Sequence, residues 1–99
     1  MYTVPGTPLT GATGAFVDLE PAGGAVHYQW QIEGTFDGAT AQLEVDDASG
    51  SGGVAVSGVD ALTEEDSGLV TIPRNRQARL TASGGGGSQS LTIYLFPIY

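Results

Sequence analysis

His27 is the only histidine in the chain, and it sits on the polar side of the alternating run from Val26 to Glu33. As a general base it would need a nucleophile and an orienting carboxylate within hydrogen-bond reach. Glu33 and several Ser residues are available, but no motif brings them together, so a surface His on a sheet face is expected. Asp46-Asp47 and Glu64-Glu65-Asp66 carry the oxygens a calcium ion would take, yet neither has the DxDxDG spacing of a calcium loop. Solvated loop carboxylates are the simpler expectation, and calcium binding stays open. Paired carboxylates for glycoside hydrolysis need a fixed separation across a cleft, which Gly-rich turns do not provide. The run Gly84 to Gly87 lacks a following Lys-Ser/Thr and a helix, so it is no phosphate cradle. No catalytic residue, metal or cofactor is expected, and the chain reads as a non-enzyme.

Arg74, Arg76 and Arg79 are the only cations. Pairing with the surplus acids of the same chain, worth at most about 1 kcal/mol each at a surface, competes with pairing to the acidic loops of a neighbouring subunit.

The elements that must position these groups show a period of two. In the stretch 25–45, Val26, Tyr28, Trp30 and Ile32 fall on one face and His27, Gln29, Gln31 and Glu33 on the other, the geometry of a half-buried strand. Asp37-Gly38 supplies residues that tolerate the positive φ of a tight turn. Ala39, Ala41, Leu43 and Val45 then alternate with Thr40, Gln42, Glu44 and Asp46. This stretch is expected to be a β-hairpin with Trp30 at the centre of the core.

Around it, Ala15 to Leu19 is a short strand whose alternation leaves the buried face undecided, and Val54 and Val56 mark another. Leu69 to Ile72 is a strand stopped by Pro73, and Gln77 to Ala82 turns Ala78, Leu80 and Ala82 inward. Gly84 to Gly87 reads as a hairpin loop before the last strand, where Leu91, Ile93 and Leu95 oppose Thr92, Tyr94 and Phe96. Several short strands with turn signals at intervals of roughly ten residues predict an all-β chain. The first choice is a single immunoglobulin-like β-sandwich of about seven strands, and a jelly roll is the second. Residues 1–11, with Pro5 and Pro8, are expected to form an extended N-terminal arm, and 12–99 the sandwich domain.

Ninety-nine residues suit one domain, and the absence of Cys removes disulfides and thiolate chemistry. Eleven acidic residues against three Arg give a net charge of −8. A nucleic-acid binder needs cations to displace phosphate counterions, and an anionic membrane repels such a chain, so neither partner is expected. No run reaches the length of a membrane-spanning helix, and Met1 to Pro5 lacks the basic start of a signal peptide, so 1–99 is expected to be the working protein. Both ends carry apolar and aromatic residues, the tail after Pro97 exceeds what a small sandwich needs to close its core, and Tyr is enriched at interfaces, so partner binding by the termini competes with their packing on their own domain. Tyr2, Val4, Leu9, Phe96, Ile98 and Tyr99, with Arg74 and Arg76, are therefore the candidate partner-binding residues. Deleting Met1 to Leu9 is expected to spare folding and weaken assembly.

Two segments carry a resemblance. Gly34-Thr35-Phe36-Asp37-Gly38-Ala39-Thr40 followed by the alternating 41–45, and Arg79 to Ser88 leading into a final strand, resemble small virion proteins of tailed bacteriophages. The shared order covers most of residues 24–96, and its motifs are turns. The resemblance implies a virion location and a β-sandwich. Within that class the expectation is a capsid decoration (cement) protein on the outer capsid surface, bound to the major capsid protein. By the same analogy it assembles as a homotrimer. A tail or head–tail accessory protein is the alternative, and a carbohydrate-binding module is the alternative from another class.

Overall fold

The computed structural model describes residues 2–3, 8–11, 13–14, 16–19, 27–46, 52–56, 58–59, 61–72 and 76–98. Val4, Arg74 and Tyr99 lie outside them, as does Val26, and of Tyr2 the backbone is described. The described residues contain no helix. Eight strand segments follow in order: β1 Tyr2–Thr3, β2 Val17–Asp18, β3 His27–Thr35, β4 Thr40–Asp46, β5 Gly53–Ala55, β6 Asp66–Thr71, β7 Gln77–Ser83 and β8 Ser90–Ile98. Six have three or more residues, and β1 and β2 are two-residue pairings.

The strands form two antiparallel sheets, β1-β8-β3-β6 and β2-β7-β4-β5. One apolar core draws on both, so the chain is all-β and sandwich-like. Period two decides what enters it. Tyr28, Trp30 and Ile32 are buried from β3, Leu43 from β4, Leu80 from β7, and Leu91, Ile93 and Leu95 from β8. The undecided strand near residue 17 resolves with Leu19 buried and Phe16 half-buried.

The connectivity corrects the expected hairpin. β3 and β4 do not pair with each other, because each is already interior: β3 lies between β8 and β6, and β4 between β7 and β5. The Asp-Gly turn instead carries the chain from the first sheet into the second, with φ of 51° at Asp37 and 80° at Gly38. The glycine run makes the return crossing, from β7 to β8, rather than closing a hairpin. The two crossings brace each other: the Gly86 N–H donates to the Asp37 carbonyl at 3.0 Å, and the Ser88 N–H to Asp37 Oδ2 at 2.8 Å.

Strand partners are therefore β1–β8, β2–β7, β3–β6 and β4–β5, an antiparallel ribbon wound around the core. This pairing follows a jelly-roll order, and an immunoglobulin-like arrangement of seven strands is not what these sheets show.

Tyr2, Thr3, Leu9 and Gly11 tie the N-terminal segment to its own domain. Tyr2 and Thr3 pair with Leu95 and Tyr94, and Leu9 exchanges backbone hydrogen bonds with Leu91 at 2.6 and 3.1 Å. The buried Gln89 amide donates to the carbonyls of Leu9 and Gly11 at 3.1 and 3.0 Å, and Leu9 itself is 3% exposed. Leu9 is thus a core residue. Deleting Met1 to Leu9 removes a buried leucine and leaves the Gln89 amide short of an acceptor. We expect it to lower stability by about 3 kcal/mol, which for a domain of this size is a fall of at least about 10 °C in thermal midpoint. A truncated chain melting with the full one would show that the segment contributes nothing to the fold.

Candidate functional site

The two outer sheet faces differ in chemistry. On the β4–β7 face, charges are answered within the chain. Arg79 Nε lies 2.9 Å from Glu44 Oε1, and its guanidinium stands 4.5 Å from the Phe16 ring centroid. Arg76 Nε lies 2.9 Å from Asp46 Oδ1, its guanidinium also reaches the Asp46 carbonyl, and the Gln77 N–H donates to the same carboxylate. Arg76 is therefore occupied by its own chain.

The hydrogen bond from Arg76 holds the Asp46 carboxyl below its ordinary value of 3.8, against the opposing pull of burial. A depressed folded value means the stabilisation is complete above the ordinary pKa and is lost as pH falls through the folded one. Asp46→Asn should therefore flatten the acid limb of stability below pH 3.8 while costing about 1 kcal/mol near neutrality. Denaturant titrations of both proteins across that range check this, and parallel acid limbs would contradict it.

The outer face of β8-β3-β6 is built differently. The same alternation that buries Trp30 turns His27, Gln29, Gln31 and Glu33 outward from β3. Register places Gln29 between Phe96 and Leu69, Gln31 between Tyr94 and Ser67, and His27 between Ile98 and Thr71. His27 Nδ1 lies 3.0 Å from Thr71 Oγ1. The Tyr94 and Phe96 rings are near-parallel with centroids 6.3 Å apart. Leu69 is 70% exposed and Ile98 45%. A cleft of about 620 Å³ opens at this end of the sheet, with His27, Leu69, Val70 and Ile98 among its walls. The opposite end is acidic: Glu33, Glu65 and Asp66 share one corner, where Glu65 Oε2 accepts the Gly34 N–H at 3.1 Å.

Of the residues assigned to a partner from sequence, Phe96 and Ile98 are brought together on this face. Leu9 is in the core and Arg76 is on the other sheet. Leu69 is not among the residues that the sequence singles out. Its signal was parity, since Val70 and Ile72 are the inward positions of that strand, which leaves a leucine on the outward side. Among the described residues no group of three or more His, Asp and Glu side chains converges as metal ligands.

No family model, curated protein or solved structure matches this chain.

Proposed function

We propose that this chain is a non-enzymatic binding protein of a tailed-phage virion, a capsid decoration protein that attaches to the outer surface of the head and stabilises it. The observation that carries the reading is the outer face of β8-β3-β6, where the exposed Leu69 and Ile98 lie with the half-buried Tyr94 and Phe96 in one apolar stripe on a chain of net charge −8. Exposed apolar stripes rimmed by polar groups mark interaction surfaces. The jelly-roll order also supports it, since capsid domains use that architecture. The mechanism is mass action. A protein that binds the assembled lattice and not its dissociated subunits stabilises the lattice by its binding free energy, and repetition at symmetric positions adds avidity. Assembly as a homotrimer at local threefold positions follows from the family resemblance.

Undecorated heads should gain resistance to heat or chelator when the purified protein is added at saturation. Heads that neither bind nor are protected would sink the reading. A second reading draws on Gln29, Gln31 and His27 lying between the aromatic and aliphatic side chains of the same face, a composition that suits sugar stacking. Trp30 is buried and cannot report it, so glycan titration would be followed through the Tyr94 and Phe96 resonances.

A further inference from the structure

We propose that the outer edge of β6, unpaired among the described residues, is a strand-docking site. It takes up an extended segment of a partner protein that lays an apolar side chain against Leu69 and a Lys or Arg against Glu65 and Asp66. The inference rests on the reading of the chain as a binding module and names what it binds.

Both sheets end in edge strands, and they are unequal. β1 and β2 are two residues long and β5 is three, whereas β6 is six and pairs only with β3 among the described residues. An exposed edge presents backbone donors and acceptors that another chain can pair, and natural edges are usually blunted by short length, charge, proline or a bulge. Between Ser67 and Ile72 the sequence Ser-Gly-Leu-Val-Thr-Ile contains no charge and no proline. Leu69, the most exposed large apolar side chain described, lies in the middle of it, beside the cleft that His27 and Ile98 share. An added strand gains affinity from backbone hydrogen bonds and specificity from pockets that accept alternate side chains.

The charge pattern selects the occupant. Glu65 and Asp66 sit at the start of the edge with Glu33 beside them, and the described cations, Arg76 and Arg79, are committed to Asp46 and Glu44 on the other sheet. A second copy brings another charge of −8 and offers no described free cation, so a basic partner segment fits and self-pairing does not. Glu65 immediately precedes β6 and lies four positions before Leu69, at most about 13 Å at the rise of extended chain. The incoming segment therefore carries its apolar and basic residues four positions apart.

The test uses the full-length protein labelled with ¹⁵N and threonine-rich peptides bearing one Val and, four positions away, one Lys, made in both orders. At about 1 mM peptide, amide shifts should centre on Asp66–Thr71. Replacing the Lys by Glu, or introducing Leu69→Asp, should weaken binding about tenfold or more, and Val54→Asp, on the edge of the other sheet, should not. No shift, shifts centred on Tyr94 and Phe96, equal binding by Leu69→Asp, or self-association through the same amides would each overturn the proposal. Heads separate this from the broader reading. If they bind wild type and Leu69→Asp alike, the docking edge is wrong and the decoration reading stands. Peptide binding without head binding leaves the edge standing and removes the phage assignment.

Discussion

Trp30→Ala should lower stability by about 3–5 kcal/mol, enough to leave the chain largely unfolded if its total lies at the low end of the usual 5–15 kcal/mol. The indole is 5% exposed on β3, an interior strand that pairs along its length with β8 and over six positions with β6. Directly across the β6 pairing is Gly68, where an added Cβ would come within 2.9 Å of the indole. The absence of a side chain there is what lets the ring lie over the strand. Removal of the ring leaves a cavity that neither Gly68 nor the paired backbone can fill. Trp30→Phe should cost far less, about 1–2 kcal/mol, because the buried indole Nε1 has no hydrogen-bond partner among the described residues and its loss relieves a desolvated donor. Equilibrium denaturation of the two variants separates ring volume from the N–H group. Equal losses would mean that a phenyl ring does not fill the space the indole occupies.

The second large effect lies at Gly34. Its φ is +122°, and a Cβ built there would sit 2.1 Å from the Ser90 carbonyl oxygen and 3.3 Å from Leu91 Cα. Those atoms are backbone of the paired strand, so no side chain can swing aside. Gly34→Ala must therefore either part β3 from β8 at the Gly34–Leu91 pairing or force a backbone conformation that L residues rarely hold. We expect a loss of about 3 kcal/mol and a fall of more than about 10 °C in thermal midpoint. Gly58 is the control. Its φ is +92° with open space around the added carbon, so Gly58→Ala carries the conformational cost alone, about 1 kcal/mol. Similar losses in the two variants would show that the contact with Ser90 is relieved by a small backbone shift.

What could be read from sequence divides along a physical line. Period two reports which face of a strand is buried, so the inward positions of Tyr28, Trp30, Ile32 and Leu80 follow from their spacing alone. It does not report which strand lies alongside. Asp37-Gly38 was legible as a turn, yet whether a turn closes a hairpin or crosses between sheets depends on β6 and β8 occupying both sides of β3, which is set by residues thirty or more positions away. The same limit explains Leu9. Its surroundings of Pro and Gly read as an arm, and its burial follows from Leu91 and Gln89 at the far end of the chain. For the candidate face, Phe96 and Ile98 were visible as surplus apolar groups at a terminus. Leu69 is hidden at the start of the strand-forming run Leu69 to Ile72, and only the register with Gln29 and Phe96 places it beside them.

The surface proposed to meet the capsid is one side of the molecule, the outer face of β8-β3-β6 with its β6 edge. Amide hydrogen exchange of the protein free and bound to undecorated heads measures this directly. We predict that protection on binding concentrates in Asp66–Thr71 and in the stretch Tyr94–Ile98, while Gln77–Ser83 on the other sheet exchanges as in the free protein. Protection centred on Gln77–Ser83 and Thr40–Asp46, with β6 unchanged, would contradict it.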